Sequence, residues 1–373
     1  MKIPFNDLTR IHEPLKKELD FVWNRVISNN AFILGEEVAR FEKLFSQYCG
    51  FSSSENAVGV SNGLDALTLI LSSLNIKEGD EVITQANTFN ATVAAICSVG
   101  ARPVLVDVNS DTGLMNISKL EKLINLRTKA IIPVHLYGQQ VEIEKIYNYL
   151  PSKNEIYIVE DAAQAHGALR NGLHPGQQST AAAFSMYPGK NLGAFGDAGI
   201  VVSKEKELIK KIKILQNYGQ IKKNDHEVIG SNKRMDGLQA AILSVKLSKL
   251  DEWNLSRKKS AQELSERLEK IDAIELPKKD SKNEHIYHLF VIKTDYRDEL
   301  RNYLFQNGIE TGIHYPVPIH LQKPFLFLEY QKGSFPISED WSNRGLSLPL
   351  FPFMSSSELE YISTFIRSFF KKI

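Results

Sequence analysis

The segment AAAFSMYPGKNLGAFGDAGIVVS, residues 181–203, decides the fold. It begins with a run of small apolar residues that is typical of a buried strand, and it ends with a second such run, AGIVVS. Between the two runs lies a glycine-rich loop whose single lysine is Lys190. Ligands of mostly parallel sheets bind where the strands end. The segment therefore predicts that a buried strand delivers Lys190 to a sheet edge where sites form.

The same alternation of apolar runs and helical patterns extends from about residue 56 to residue 213. It predicts further strands at NAVGV, DEVITQA, RPVLVDV, TKAIIPVHL and EIYIVED. Helices are predicted at LDALTLILSSL, NATVAAICSVG, VEIEKIYNYL and KEKELIKKIKILQNYG. Continuous apolar strands that alternate with helices favour an α/β fold, with a mostly parallel sheet covered on both faces.

The last third of the chain has a different pattern. A long helical pattern over residues 235–271 leads into it. HIYHLFVIKT then predicts a strand, and YRDELRNYLFQNGI and SSSELEYISTFIRSFFKKI predict helices. We therefore expect a large domain over residues 1–250, with an N-terminal arm, and a smaller α+β domain over residues 251–373.

The composition narrows the class of protein. The 373 residues carry a net charge of +1, with 43% hydrophobic and 24% charged residues. These percentages lie in the ordinary range of globular proteins. The small net charge gives no overall electrostatic attraction to nucleic acid or to an anionic membrane. No apolar run reaches the ~18–20 residues of a membrane span. Because Cys49 and Cys97 are isolated, a reducing compartment is favoured, and we expect a cytoplasmic protein.

Lys190 has three interpretations. A solvated loop lysine is the commonest kind. A phosphate-binding P-loop needs glycine at position 184 and Ser or Thr after the lysine, but these positions hold Phe184 and Asn191. The third interpretation is a lysine that forms a Schiff base, which requires an amine in a partly dry pocket where its pKa falls.

A second segment bears on that choice. IVEDAAQAHGA, residues 158–168, puts Glu160 and Asp161 at the end of an apolar strand. An aspartate there is most often a cap for the next element. Beside a Schiff-base lysine, a carboxylate has another use, since it holds a proton on the ring nitrogen of pyridoxal phosphate. Gln164 is then placed to bond the phenolic oxygen of that ring or Asp161 itself.

Other positions suit a cofactor with a phosphate and an aromatic ring. VSNGLDALTL, residues 60–69, gives a strand end, a turn at Gly63 and a helix N-terminus, which is a ready anion site. Ser185 offers a hydroxyl five residues before Lys190. Phe89 follows a strand and would pack in a core or stack on an aromatic ring. The nine histidines give no convincing metal site.

Together these motifs resemble the DegT/StrS family of pyridoxal-phosphate-dependent nucleotide-sugar aminotransferases. The resemblance covers almost the whole chain, through FNDLTR, FILGEEVARFEKLFSQYCG, PVHLYGQ, EDAAQAHGA, FSMYPGKNLGAFGDAG, GSNKRMDGLQAA and GIHYPVPIHLQ. It implies an aspartate-aminotransferase-like, type I fold with a mostly parallel seven-stranded sheet. It also implies a homodimer whose active sites lie at the subunit interface.

The resemblance assigns roles to individual residues. Lys190 resembles the lysine that binds pyridoxal phosphate as a Schiff base, and Asp161 resembles the partner of the ring nitrogen. The implied cofactor contacts are Gly63, Leu64, Phe89, Gln164, Ser185 and, from the neighbouring subunit, Asn232. The implied substrate contacts are Tyr187, His314, Tyr315 and His320, and no metal is implied. Many members have threonine where this chain has Leu64, so one hydroxyl contact to the phosphate is missing here.

The implied reaction transfers an amino group from L-glutamate to a keto nucleotide-sugar. SNGLDAL, AQAHGA and HYPVPIHLQ are most similar to the branch that aminates carbon 3 of dTDP-3-keto-6-deoxyhexoses, for deoxyamino sugars of surface polysaccharides. Amination at carbon 4 of a 4-keto sugar is the alternative. Two further readings are disfavoured. Related dehydratases carry histidine at position 190, and a non-catalytic sensor has no need of an imine lysine.

Overall fold

The lysine segment and the acidic segment form neighbouring strands of one large sheet. The computed structural model describes residues 1–151, 156–278 and 280–372. The seven strands are β1 Ala57–Val60, β2 Glu81–Gln85, β3 Arg102–Val106, β4 Thr128–Ile132, β5 Tyr157–Asp161, β6 Ala181–Ser185 and β7 Gly199–Val202. They lie in the order β1-β7-β6-β5-β4-β2-β3. Among these seven strands, β7 runs opposite to the other six, which are parallel to one another. This confirms the predicted mostly parallel α/β sheet.

Helices connect these strands and continue into the last third of the chain. The longer ones are α1 Lys16–Ser28, α2 Glu36–Tyr48, α3 Gly63–Ser73, α4 Asn90–Ser98, α5 Lys206–Leu215, α6 Gly237–Leu247, α7 Leu250–Leu268, α8 Arg297–Gln306, α9 Pro336–Arg344 and α10 Ser356–Phe370. Single helical turns occur at Thr9–His12 and Ile143–Ile146. Within the described ranges, no helix has both the length and the hydropathy that crossing a membrane would require.

Both faces of the sheet are buried, as the continuous apolar strands predict. On one face, Phe184 of β6 packs with Phe45 of α2 and Leu243 of α6. On the other face, Ala183 of the same strand packs with Ile70 of α3. Alternate residues of β6 therefore serve two separate cores, and the strand has little freedom to move.

The parallel strands all end at one edge of the sheet. Asp161, the last residue of β5, pairs with Ala183 of β6. Ser185, the last residue of β6, pairs with Gly199, which also pairs with Val60 at the end of β1. The ends of β1, β5 and β6 consequently lie side by side, and the loops that follow them meet at this edge.

The C-terminal third has a core of its own. Strands β8 Phe290–Lys293 and β9 Gly345–Leu348 pair antiparallel, and α7, α8 and α10 contribute apolar residues to the same cluster. Ile3 also lies in this cluster and bridges to Ile309. The N-terminal residues thus pack on the C-terminal core, although the predicted boundary at residue 250 groups them with the large sheet.

The long helix predicted over residues 235–271 is wrong in one respect, because it is two helices. α6 ends at Leu247 and α7 begins at Leu250. Between them, Ser248 and Lys249 form a turn, in which Lys249 has φ −110° and ψ −4°. The residues between the two helices, Ser248 and Lys249, include no proline or glycine to signal the break. Leu247 and Leu250 both join the core under the sheet, so burial decides where the chain turns.

Two other predicted elements are shorter than expected. The helix predicted at residues 141–150 is one α-turn, Ile143–Ile146, followed by a 3-10 turn, Tyr147–Tyr149. The strand predicted at residues 285–294 is extended only over Phe290–Lys293. Tyr287 has a φ of +47°, and this positive angle interrupts the extended run.

Candidate active site

A cavity of about 280 Å³ lies where the loops from the sheet edge face the C-terminal core. The N-terminal arm contributes Phe5 and Asn6 to its wall. The other lining residues are Gln164, Tyr187, Gly189, Lys190, Arg257, His288, Leu289, His314, Tyr315, Leu348 and Leu350. Segments from distant parts of the sequence therefore meet around the predicted lysine.

Lys190 projects from a tight loop that begins directly after β6. Its backbone amide donates to the carbonyl of Tyr187 at 2.8 Å, and the amide of Ala194 donates to the carbonyl of Met186 at 2.8 Å. Burial lowers the pKa of the Lys190 ammonium to about 8, and the nearby Asp161 opposes that shift. Roughly a tenth of the side chain is therefore an unprotonated amine at pH 7, far more than for an ordinary lysine, and this is the form that reacts with a carbonyl.

Asp161 is buried at the end of β5 and is held at both carboxylate oxygens. The hydroxyl of Thr92, in the first turn of α4, donates to Oδ2 at 2.7 Å. The backbone amide of Ala163 donates to Oδ1 at 3.1 Å. Thr92 is itself 2.8 Å from the hydroxyl of Thr88. The carboxylate therefore has one orientation at the sheet edge.

Glu160, the neighbouring acidic residue, points to the opposite side of the strand, as alternation requires. It accepts hydrogen bonds from His135 Nε2 at 2.5 Å, from the amide of Gly176 at 2.7 Å and from the hydroxyl of Ser179. This buried network satisfies Glu160 away from the cavity. Of the two carboxylates, only Asp161 is then available to the lysine.

Gln164 lies between the acidic strand and the aromatic wall of the cavity. Its Oε1 accepts from the amide of Tyr137 at 2.7 Å, and its Nε2 donates to the hydroxyl of Tyr315 at 3.1 Å. The Tyr137 hydroxyl donates to the carbonyl of His314 at 2.7 Å. These bonds fix Gln164 and tie the segment of His314 and Tyr315 to the large sheet.

The N-terminus of α3 forms an anion site beside the end of β6. Asn62 caps the helix, since its Oδ1 accepts from the amide of Asp65 at 2.8 Å. A Cβ at Gly63 would lie only 2.7 Å from the Cβ of Ser185. Glycine is therefore required for the helix to start so close to Ser185. The free amides at Gly63 and Leu64, together with the Ser185 hydroxyl, suit a phosphate group.

Phe89 and Tyr315 supply the aromatic surface of the site. Phe89 immediately precedes α4 and is 56% exposed, unusual for a phenylalanine in a site lined by buried groups. Its ring lies 5.5 Å from the ring of Tyr315, centroid to centroid. Tyr187 is also exposed and lines the cavity. An aromatic ligand ring would find an apolar face here.

These residues fit pyridoxal phosphate. The cofactor needs a reactive lysine, a carboxylate for its ring nitrogen, a phosphate site and a surface for its ring. Lys190 has a depressed pKa, Asp161 is oriented by two donors, and the glycine-dependent cradle lies beside Ser185. A lysine with these neighbours at the edge of a mostly parallel sheet defines the class of protein, a pyridoxal-phosphate-dependent enzyme.

Five of the predicted site residues line the cavity, namely Gln164, Tyr187, Lys190, His314 and Tyr315. Five others lie outside its wall, at or just after strand ends of the same sheet, namely Asp161, Gly63, Leu64, Phe89 and Ser185. Asn232 and His320 also lie outside the cavity wall. Asn232 is exposed, and its Oδ1 accepts from Arg234 Nε at 3.0 Å. His320 is fully buried, 3.0 Å from Glu339 and 4.9 Å from the ring of Phe335. His320 therefore packs inside the protein, away from the cavity wall, and the substrate contact predicted for it stays a prediction.

Several residues of the site were not predicted from the sequence, and three of them are Thr92, Arg257 and His288. Thr92 binds Asp161, and its place three residues after Phe89 was an available signal, because both fall on the first turn of one helix. Arg257 and His288 line the cavity from α7 and from the bend before β8. Nothing in the local pattern distinguishes Arg257 from the other cations of its polar helix.

Comparison with known proteins agrees with the geometry. The DegT/DnrJ/EryC1/StrS aminotransferase family model matches residues 15–367. The chain is 40% identical to a dTDP-3-amino-3,4,6-trideoxy-alpha-D-glucose transaminase of Streptomyces venezuelae, over 100% of this chain and 97% of that protein. It is 45% identical to a dTDP-3-amino-3,6-dideoxy-alpha-D-galactopyranose transaminase of Aneurinibacillus thermoaerophilus, over 96% and 97%.

A solved structure agrees with the fold in detail. The S. venezuelae protein DesV, in complex with a ketimine intermediate, superposes with a TM-score of 0.96 and 39% identity. The match covers 100% of this chain and 99% of that one. This chain belongs to the DegT/DnrJ/EryC1/StrS aminotransferase family. It is accordingly a pyridoxal-phosphate-dependent transaminase rather than a non-catalytic sensor.

Proposed function

We propose that the protein moves an amino group from L-glutamate to carbon 3 of a dTDP-3-keto-6-deoxyhexose. The observation that carries the proposal is full-length similarity, at 40% and 45% identity, to two proteins named as dTDP-3-amino-sugar transaminases. The lysine-centred cavity supplies the chemistry that such a reaction needs. In this proposal the product enters deoxyamino-sugar synthesis for surface polysaccharides, in the cytoplasm.

The roles of the residues follow from their positions. Pyridoxal phosphate, when bound, supplies an electron sink for bonds at the substrate's amino carbon. Lys190 binds the cofactor in the resting enzyme, and its free amine later moves the proton of the donor's α-carbon. Asp161 holds a proton on the ring nitrogen. The α3 N-terminus and Ser185 hold the phosphate, while Gln164 and Phe89 orient the ring.

We further propose that the active enzyme is a homodimer with shared sites. Asn232 is exposed and absent from the cavity wall, which suits a residue that reaches the partner's cofactor. Large apolar side chains are exposed on and near α1, namely Phe21, Trp23, Ile27, Phe32 and Ile33. Ile229, three residues before Asn232, is 99% exposed. A second copy of the chain would cover such side chains.

A visible absorption scan with and without L-glutamate tests the donor half-reaction. Wild-type protein should show the yellow band of a lysine-bound cofactor, and L-glutamate should convert it to the amine form. Lys190→Ala should lack that band and should have no turnover. Appreciable turnover by Lys190→Ala would remove Lys190 from its role.

Turnover on two keto sugars tests the acceptor. We expect a dTDP-3-keto-6-deoxyhexose to be aminated faster than a 4-keto-6-deoxy nucleotide-sugar. A clear preference for the 4-keto sugar would replace the carbon-3 assignment with the carbon-4 alternative. Deoxygenation of the sugar without consumption of L-glutamate would contradict the transaminase reading of either sugar.

A further inference from the structure

His288 lies in the cavity wall and is bonded to the residue next to the reactive lysine. Its ring reaches the wall because Tyr287, with a φ of +47°, bends the chain just before β8. His288 Nδ1 is 2.9 Å from Oδ1 of Asn191, which directly follows Lys190 and is buried. Within the described ranges, the hydrogen bond of the His288 ring is at Nδ1, and none is formed at the second ring nitrogen, Nε2.

Backbone carbonyls decide which atoms of this network carry protons. Asn254 Nδ2 lies 2.8 Å from the carbonyl of His166, and a carbonyl can only accept. Asn254 Oδ1 must therefore accept the 2.8 Å bond from Asn191 Nδ2. Asn191 Nδ2 also lies 3.4 Å from the carbonyl of Ile286, a second anchor with the same result. Asn191 thus turns its Oδ1, an acceptor, toward His288.

The proton of the His288 ring consequently resides on Nδ1. Burial holds the pKa of His288 well below its ordinary value, and the charges of Lys190 and Arg257 and the rings of His166 and His314 lower it further. A neutral imidazole has one N–H and one lone pair. Because the Nδ1–H donates to Asn191 Oδ1, Nε2 carries the lone pair and accepts hydrogen bonds.

An acceptor in this position complements the rest of the cavity. The two cationic side chains of the cavity wall, Lys190 and Arg257, can only donate hydrogen bonds while they are protonated. Arg257 Nη1 donates a hydrogen bond to the carbonyl of Leu350, at 2.7 Å. Both substrates of a sugar transaminase bring O–H or N–H groups that need acceptors.

We propose that the Asn254–Asn191 amide chain fixes His288 as a hydrogen-bond acceptor that binds an O–H or N–H group of the substrate. This inference rests on the proposed function, because that function determines which substrates the enzyme binds. Two sources share this chemistry, the amino group of the donor and a hydroxyl of the keto sugar. The two half-reactions separate them.

The tautomer is tested without the cofactor. Side-chain ¹⁵N spectra of histidine-labelled, cofactor-free protein should show a neutral ring protonated at Nδ1, whose signals disappear in His288→Asn. The ring should stay neutral from pH 8 down to about 6, where an ordinary histidine is largely charged. A His288 ring protonated at Nε2, or charged at pH 6, would overturn the proposal.

The acceptor role is tested with His288→Asn. The amide of asparagine can replace Nδ1–H toward Asn191, but it places no lone pair where Nε2 was. We expect the cofactor absorption and the melting temperature to stay near wild type. The apparent dissociation constant for L-glutamate, the keto sugar or both should rise about three- to tenfold, the effect of one neutral hydrogen bond.

The pattern across half-reactions identifies the partner. A weaker L-glutamate complex assigns the bond to the donor's amino group, and a weaker sugar complex assigns it to a sugar hydroxyl. Unchanged dissociation constants in both half-reactions would overturn the proposal. A fall in the rate alone would overturn it too, since His288 would then act on Lys190 rather than bind a substrate. If no keto sugar reacts with wild-type enzyme, the proposed function fails, while the spectra and the L-glutamate step still judge His288.

Discussion

At the scale of residues, the site is built by burying a few polar groups and satisfying them selectively. Glu160 is saturated by three donors, whereas its neighbour Asp161 is oriented by two and faces the cavity side of the strand. Lys190 has no hydrogen bond at Nζ within the described ranges, and burial makes its charged form less favourable. The difference between adjacent acidic residues comes from strand alternation, and the difference between Lys190 and a surface lysine comes from desolvation.

The titration of Lys190 is the first prediction at this scale. Because burial lowers its pKa to about 8 from 10.5, the fraction of free amine should rise as pH passes through 8. Competitive acetylation of cofactor-free protein, read by mass spectrometry, should show half-maximal reactivity of Lys190 near pH 8. Asp161→Asn should move that midpoint lower still, since the attraction of Asp161 raises the pKa. A midpoint near 10.5 would mean that the amine is not desolvated.

The second prediction concerns catalysis by Asp161. Asp161→Asn keeps a similar shape but cannot hold a positive ring nitrogen, so it should still bind cofactor while turnover falls by about two to three orders of magnitude. The rate of the L-glutamate half-reaction measures this directly. Thr92→Val, which removes one donor to the carboxylate, should have a smaller effect in the same direction. Near-normal rates in Asp161→Asn would exclude the assigned role.

At the scale of elements, close packing between a helix start and a strand end makes the phosphate site. α3 begins at Gly63 directly against Ser185 at the end of β6, and there is no room for a side chain between them. A Cβ at Gly199 would likewise lie 2.5 Å from the backbone of Asn62. Glycines at these positions allow three chain segments to converge on one anion site.

Gly63→Ala tests that convergence. The added methyl group should push the α3 N-terminus away from Ser185 and weaken cofactor binding by about tenfold or more, equal to one or two lost hydrogen bonds. Fluorescence or absorbance titration with pyridoxal phosphate measures the affinity. Gly196→Ala is the control, because Gly196 does not line the cavity and its Cβ would meet only the side-chain end of Gln239, at 3.2 Å, so its cofactor affinity should stay near wild type. Equal behaviour of the two variants would show that the spacing at Gly63 is unimportant.

At the scale of the whole molecule, the site combines parts that are far apart in the sequence. Phe5 and Asn6 from the N-terminal arm, Lys190 from the large sheet and Tyr315 from the last third share one cavity. Arg10 ties the arm to α10 through bonds to Glu358. In the proposed homodimer, Asn232 would complete the partner's site.

Subunit mixing tests the shared site. Lys190→Ala and Asn232→Ala should each be impaired at limiting cofactor, since one lacks the lysine and the other the partner's contact. After co-refolding or co-expression, random pairing should restore roughly a quarter of the wild-type sites, because each mixed dimer has one intact site. Activity at limiting pyridoxal phosphate measures the recovery. No gain above the sum of the separate variants, in preparations shown to be mixed dimers, would contradict a shared site.

The sequence by itself determined the large sheet with its lysine and acidic strands, and it predicted the chemistry of Lys190 and Asp161. These features depend on local patterns, because apolar strands, glycine turns and polar residues at strand ends follow each other along the chain. The tertiary structure alone decided the break between α6 and α7, the bend at Tyr287, and the burial of His320 against Glu339. It also decided that His288 meets Asn191 across 97 residues of sequence. Such contacts depend on which distant surfaces are buried together, and a local pattern has no information about that.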